Sequence, residues 1–104
     1  MKSISKSEIA IIIIGEWKSE IEEMIYVFSD SPSFLKKDAF DLLVSNIKLN
    51  EYFLTMYCII SENENIFIEI GEEKFSLKYF ANQSENGELH LEDRDHGIVV
   101  LKKL

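Results

Sequence analysis

The sequence contains a single cysteine, Cys58, among 104 residues, so no disulfide can form within the chain. Cys58 lies in an apolar segment, where a small core residue is expected rather than a nucleophile. A chain of this length buries roughly two-thirds of its unfolded surface and needs no covalent staple. The sequence therefore predicts a single domain over residues 1–104, in a reducing, cytoplasmic setting.

Long apolar runs are absent as well. The run Ile9–Ile14 is far shorter than the roughly 20 residues that a membrane-spanning helix needs. Lys2 and Lys6 precede this run as they would in a signal peptide, but glutamates follow it and no cleavage signature is present. We therefore expect a soluble protein that is made in its mature form.

Residues suited to catalysis or metal binding are scarce. The two histidines, His90 and His96, fall in one predicted hairpin, and no motif surrounds any serine, cysteine or threonine. The cluster Glu92–His96 lacks the further oxygen ligands of a calcium loop and the additional His or Cys ligands of a zinc site. No glycine-rich phosphate-binding motif occurs. The sequence predicts no enzyme activity, no metal and no cofactor.

Positive charge is also in short supply. The net charge is -8, and the second half of the chain, residues 51–104, has five basic residues against eleven acidic ones. Affinity for phosphates depends largely on Lys and Arg, so direct binding to nucleic acid or to an anionic membrane is disfavoured. A basic protein partner is favoured instead; alternatively, the charge only keeps a small domain soluble.

The first thirty residues carry an apolar stripe with the period of an α-helix. Ser5 and Glu8 have the spacing of a capping box, with Ile4 and Ile9 at the positions of a hydrophobic staple. The stripe predicts one long helix. The alternative is a strand over Ile9–Ile14 and a shorter helix after a break at Gly15, because the run is β-branched. The stripe comprises Ala10, Ile13, Ile14, Trp17, Ile21, Met24, Ile25 and Phe28.

A second helix is predicted after Ser31 and Pro32, which read as an N-cap followed by proline at the first helical position. Its inner stripe is Leu35, Ala39, Leu42, Leu43 and Ile47, and it should end near residues 46–50. From Glu51 the apolar period changes to two, which indicates strands. The predicted strands are Tyr52–Ser61, Ile66–Ile70, Lys74–Phe80, Leu89–Leu91 and Ile98–Leu101.

This order of elements predicts an α+β fold, with two N-terminal helices packed on one face of a four- to five-stranded antiparallel meander sheet. The other sheet face holds Phe53, Tyr57, Ile59 and Phe67 and is unusually apolar. Either the sheet curls to cover these side chains or they contact another chain. The loop Ala81–Gly87 is the longest and is expected to be mobile.

The strand turns carry most of the acid and are the predicted partner-binding surface. In size, charge and lack of motifs, the chain resembles the small immunity proteins with which bacteria neutralise toxins, including those of contact-dependent growth inhibition. The resemblance implies a cytoplasmic inhibitor that binds a basic, nuclease-like toxin domain. The alternative is a homo-oligomeric structural or regulatory module without catalytic activity. The predicted partner-binding residues are Glu62, Glu64, Glu72, Glu73, Glu92, Asp93 and Asp95.

Overall fold

The fold, seen in a computed structural model, is a closed barrel of eight antiparallel strands with one short helix before it. The structure describes residues 5–19, 23–81, 87–95 and 97–104. The elements are α1 (Lys6–Ile12), β1 (Gly15–Ser19), β2 (Met24–Pro32), β3 (Phe40–Asn46), β4 (Glu51–Glu62), β5 (Asn65–Ile70), β6 (Glu73–Phe80), β7 (Glu88–Asp93) and β8 (Gly97–Lys103).

Each strand pairs with the next one along the chain, and β1 pairs with β8 to close the barrel. Because every pairing is antiparallel, the connections alternate between the two ends of the barrel. We call the end that carries the β1–β2, β3–β4, β5–β6 and β7–β8 connections the acidic end, for the charges described below. The opposite end carries α1, the other connections and the last residue, and we call it the helix end.

The helix α1 is short but well capped. The Glu8 main-chain N–H donates to Ser5 Oγ at 3.2 Å, and the Ser5 N–H donates to Glu8 Oε1 at 3.3 Å, which completes the predicted capping box. Ile9 and Ile13 are fully buried and belong to the barrel core. The helix therefore closes one end of the barrel with its apolar side.

Gly15 makes the change from helix to strand possible. Its φ is +131°, a conformation that side chains rarely adopt, and β1 begins at this residue. Lys103, at the end of β8, donates from Nζ to the carbonyl oxygen of Ile14 at 2.7 Å and lies 4.9 Å from the Trp17 ring centroid. Burial lowers the pKa of this lysine. The last strand thus holds the chain segment that joins α1 to β1.

The barrel interior is filled by inward-facing residues from all eight strands. Trp17 is fully buried and donates from Nε1 to the Ile13 carbonyl oxygen at 2.8 Å, so it is a core residue, although it lies on a strand and not on the predicted helix. The Phe28 ring meets the Tyr57 ring edge-on at 5.1 Å. The other fully or nearly fully buried strand residues are Leu42, Val44, Ile68, Leu77, Leu89, Leu91 and Leu101.

The predicted α+β class is wrong, because 66% of the described residues are strand and α1 is their single short helix. The predicted long helix is not formed: α1 ends at Ile12, Trp17 lies on β1, and Met24, Ile25 and Phe28 lie on β2. The alternative is also wrong, since Ile9–Ile14 is mainly helical and strands follow it. The chain does change structure close to Gly15, but from a helix that ends at Ile12 to a strand, the reverse of the order in that alternative. The predicted staple residue Ile4 and the stripe residue Ile21 lie outside the described residues.

The second predicted helix is wrong too. Pro32 ends β2 instead of beginning a helix, and two residues of the expected stripe lie in β3, where Leu42 is buried and Leu43 faces outward. The five predicted strands all exist, within β4 to β8. The apolar sheet face was expected either to be covered by curling of the sheet or to contact another chain. Curling accounts for Tyr57 and Ile59, which belong to or pack against the core of the closed barrel. Most of the loop Ala81–Gly87 lies outside the described residues.

Candidate functional site

β4 is the longest strand, and its two halves have different neighbours. Residues 51–57 pair with β3, whereas residues 57–62 pair with β5. The Gly71 N–H, in the β5–β6 turn, still donates to the Met56 carbonyl oxygen at 3.0 Å. Toward the acidic end, no strand in the described part of the chain pairs with residues 51–55 on the β5 side. The β3–β4 hairpin therefore has one open edge.

The tip of this hairpin is unusually apolar. Tyr52, Phe53 and Leu54 have 77%, 55% and 60% of their surface exposed, and they are consecutive in β4. Ile47 and Leu49, in the β3–β4 turn, are also exposed. Clustered exposed apolar side chains of this kind are typical of interaction sites rather than of freely solvated surface. We call Ile47, Leu49, Tyr52, Phe53 and Leu54 the hairpin patch.

The acidic end also concentrates negative charge around the hairpin patch. The turns and the terminal strand residues there carry six carboxylates against two cations, Lys48 and Arg94, counting only residues that the structure describes. Apolar side chains bordered by charge have the arrangement of a protein interface, with an apolar centre and a polar rim. The six carboxylates belong to Glu23, Glu51, Glu72, Glu73, Asp93 and Asp95.

The predicted partner-binding residues divide between the two ends. Glu72, Glu73, Glu92, Asp93 and Asp95 fall at the acidic end, while Glu62 and Glu64 flank the β4–β5 turn at the helix end. The structure gives the positions of these seven residues, and their role in binding stays a prediction. The turns alternate between the ends as the predicted meander required, so one flat partner surface cannot contact all seven carboxylates.

Several of these carboxylates have local partners. Glu62 Oε1 lies 2.9 Å from Lys74 Nζ, which in turn sits 4.5 Å above the Phe67 ring. Asp93 Oδ1 accepts a hydrogen bond from the Asp95 N–H at 3.3 Å, which orders the β7–β8 turn. Glu62 is therefore partly neutralised at the helix end, while Glu72 and Glu73 are exposed at the acidic end next to the open edge of β4.

The sequence prediction missed the hairpin patch. It placed Ile47 on the buried stripe of a helix and took the doubly apolar segment Tyr52–Ser61 as a central strand. β4 does pair with a strand on each side, but residues 51–57 pair with β3 and residues 57–62 pair with β5. The available signal was that Tyr52, Phe53 and Leu54 are three consecutive apolar residues at the start of the strand, where a half-exposed strand would alternate.

A cleft of about 160 Å³ opens at the helix end. It lies between α1, the end of β2, the β2–β3 loop and the middle of β4. The Tyr57 hydroxyl in its wall donates to the Ser29 carbonyl oxygen at 2.7 Å, and burial with the nearby Asp30 carboxylate raises the pKa of Tyr57 to about 12. The lining residues are Lys6, Ala10, Ile14, Asp30, Asp38, Phe40, Tyr57, Cys58 and Ile59.

The cleft contains no activated nucleophile. Burial and a hydrogen bond to Glu69 raise the pKa of the Cys58 thiol, with Sγ and Oε1 3.5 Å apart, so the thiol stays protonated at neutral pH. Tyr57 is likewise a neutral phenol. Within the described ranges, no three His, Cys, Asp or Glu side chains are grouped as a metal site would require. The cleft therefore offers space but no evident chemistry.

His90 points outward between two inward-facing leucines on β7. Its ring lies 4.4 Å from the Phe80 ring, and Nε2 is 3.1 Å from Glu88 Oε1. Leu89 and Leu91 on either side are buried. His96 lies outside the described residues. His90 is therefore held by an aromatic ring and a carboxylate on the barrel wall, away from the cleft.

Comparisons of the chain with protein-family models, with curated protein sequences and with solved structures gave no match. The single helix of the described residues is too short to cross a membrane.

Proposed function

We propose that the chain is a non-catalytic binding protein that attaches to a basic protein through its acidic end. The observation that carries this proposal is that the hairpin patch lies at the end of the barrel where carboxylates outnumber cations among the described residues. The apolar side chains supply the buried centre of an interface, and the carboxylates select a positively charged partner.

The chemistry of this end favours a protein over other partner classes. Nucleic acid would be repelled, because the two cations there are outnumbered by six carboxylates among the described residues. A small ligand would need a concave pocket, and the exposed hairpin patch projects from the barrel instead. A basic protein surface can cover apolar side chains and pair with the carboxylates at the same time.

A toxin-neutralising role of the immunity type would use this surface directly. A nuclease needs a positively charged active site to attract phosphate, and the acidic end presents the complementary charge. Binding there would occlude the active site without any reaction by the chain itself. The partner in this proposal is a basic nuclease toxin domain in the cytoplasm, and the support is the charge and apolar character of one barrel end.

The test exchanges charge at one end of the barrel while leaving the other end as its control. The double variant Glu72→Lys/Glu73→Lys reverses two charges beside the open edge of β4, and Glu62→Lys/Glu64→Lys reverses two at the helix end. The probes are purified basic nuclease toxin domains, each measured for binding kinetics and for residual nuclease activity in the presence of each variant.

We expect the acidic-end variant to slow association by roughly tenfold at low salt and to relieve inhibition, because steering by complementary charge dominates the association rate. The helix-end variant should behave like the unaltered protein. Association of the unaltered protein should also slow as salt is raised. Equal effects of the two variants, or no inhibited nuclease in the panel, would contradict the proposal.

A homo-oligomeric module is the second candidate function, and the open edge of β4 is the observation that favours it. Two copies could pair their exposed edges and bury the hairpin patch of each. The net charge of -8 opposes this, because both copies would bring their acidic ends together. Light scattering at low and high salt separates the candidates: a monomer under both conditions removes the second.

A further inference from the structure

The open edge of β4 presents backbone groups in the register of an unoccupied strand position. The Met56 carbonyl points toward the β5 side, where it accepts from Gly71. Backbone groups in a strand alternate between its two sides, so those of Tyr52 and Leu54 point the same way as Met56, and those of Phe53 point toward β3. Tyr52 and Leu54 each offer one N–H and one C=O.

The same strand has a second open edge, and the contrast between the two is informative. Residues 58–62 lack a β3 partner at the helix end, but α1 lies against this part of β4, with Lys6, Ala10 and Ile14 facing Cys58 and Ile59 across the cleft. Covering an edge with a helix is one way in which proteins prevent unwanted strand pairing. At the acidic end, by contrast, the side chains of residues 52–54 are exposed, and no strand among the described residues pairs with their edge on the β5 side.

We propose that the edge of β4 at residues 52–55 binds an extended segment of the basic partner as an added strand. This inference rests on the proposed function and specifies its binding mode. Main-chain hydrogen bonds to Tyr52 and Leu54 hold the segment, and its apolar side chains pack on the outer faces of the same two residues. Alternating with these, lysine or arginine side chains come within reach of Glu51, Glu72 and Glu73.

The negative charges beside this edge favour a basic partner over a second copy of the chain. Glu51 lies on the edge strand itself, and Glu72 and Glu73 belong to the adjoining β5–β6 turn and strand. Lysine or arginine on the added segment would be attracted by these carboxylates. A second copy would instead bring its own Glu51, Glu72 and Glu73 toward them, and like charges at close range destabilise an interface.

The probe for this binding mode is a synthetic hexapeptide of alternating lysine and valine, with the glutamate–valine hexapeptide as the charge control. Amide hydrogen exchange of the full chain is followed by NMR with each peptide. We expect the lysine peptide to slow exchange at Tyr52 and Leu54 by roughly tenfold, because their amides become hydrogen-bonded. Phe53, whose N–H already faces β3, should change little, and the glutamate peptide should have no effect.

A matched pair of variants isolates the backbone contribution. Leu54→Pro and Leu54→Ala both remove the leucine side chain, but only proline also removes the N–H that faces the open side. Proline is tolerated at such an edge position, so the β3–β4 ladder should persist. We expect the proline variant to bind the lysine peptide roughly fivefold to tenfold more weakly than the alanine variant.

Each outcome is decisive for the binding mode. Equal binding by the two variants, protection at other amides, or no binding of the peptide would overturn the added strand. If the Tyr52 and Leu54 amides became protected from exchange without peptide, and more so at higher protein concentration, the edge would bind a second copy of the chain. If basic nuclease domains still bind in a manner that depends on Glu72 and Glu73, the proposed function stands and only the binding mode is wrong. Should the proline variant unfold, the exchange data on the unaltered chain decide.

Discussion

The Tyr57 hydroxyl donates a 2.7 Å hydrogen bond to the main-chain carbonyl of Ser29, which ties β4 to β2 past the intervening β3. The Tyr57 ring is 3% exposed and packs between Phe28 and Phe40, at centroid distances of 5.1 and 5.9 Å. One side chain therefore joins three neighbouring strands near the helix end. Two predictions follow from this contact.

Replacing Tyr57 with phenylalanine should lower the free energy of unfolding at neutral pH by about 1–2 kcal/mol. The ring and its packing are retained, so the loss comes from the Ser29 carbonyl, which no longer receives this hydrogen bond. Urea denaturation followed by circular dichroism measures the difference. If the urea midpoint of the variant were unchanged, water would be replacing the hydroxyl with no loss in the free energy of unfolding.

The same tyrosine should make stability fall in alkaline solution. Its pKa is about 12 in the folded protein and 10.0 in the unfolded chain, so the folded state retains the proton longer. Its contribution is complete below pH 10, decreases between pH 10 and 12, and is lost above. At pH 11 the advantage of the unaltered protein over Tyr57→Phe should be about 1 kcal/mol smaller than at pH 8. Lys103 is present in both proteins, so its own lowered pKa cancels in this comparison.

Gly15→Ala should be destabilising, mainly because the φ of +131° strains any side chain. An added Cβ would also lie 2.5 Å from Lys103 Nζ, so the flexible end of this lysine must move and its hydrogen bond to the Ile14 carbonyl is weakened. We expect a loss of about 1–3 kcal/mol. Gly97→Ala is the control, since its φ is also positive but nothing lies within 4 Å of the new Cβ. Thermal unfolding of both variants should show the larger decrease for Gly15→Ala.

Leu42→Ala and Leu54→Ala compare one substitution at a buried and at an exposed position. Leu42 is fully buried in β3, so we expect a loss of about 2–5 kcal/mol from the cavity it leaves. Leu54, 60% exposed in the hairpin patch, should cost about 0.5 kcal/mol or less. Chemical denaturation gives both values. Similar losses at the two sites would show that the hairpin patch is part of the folding core.

The first half of the chain was misassigned because its strands are apolar on both faces. In β2, Tyr26 and Phe28 face the core while Ile25 and Val27 face outward, half-buried. Alternation is hidden in such a segment, and a helical stripe can be drawn through it by chance. The same holds for Leu42 and Leu43 in β3. Whether such a segment becomes a helix or a strand depends on its partners in the fold: β1 pairs with β8 and β3 pairs with β4. For β1, that partner lies at the other end of the sequence.

The second half could be predicted because its alternation is clean. In β6, Phe75, Leu77 and Tyr79 face the core, while Lys74 and Lys78 are exposed as expected. Polar turns mark both ends of each strand there. The positions of strands were therefore readable from the sequence, but closure of the sheet was not, because it depends on one pairing between the first and the last strand.

The candidate site could be predicted only in its acidic component. Turn sequences such as Gly71–Glu73 mark exposed carboxylates whatever the fold is. The hairpin patch depends on the stagger that leaves residues 51–55 without a β5 partner, and its one local sign is the run of consecutive apolar residues Tyr52, Phe53 and Leu54. The predicted meander already placed Glu62 and Glu64 at the opposite end from Glu72 and Glu73, but only the stagger shows which pair lies beside exposed apolar side chains.

The pairing of β1 with β8 also bears on how the barrel folds. Every other pairing joins strands that follow one another and can form as a local hairpin, whereas Trp17 must meet Lys103 from the other end of the sequence. Joining distant segments carries the larger loop-closure entropy, so this seam should form after the rate-limiting step. Stopped-flow measurements on Leu101→Ala should then show faster unfolding with little change in the folding rate.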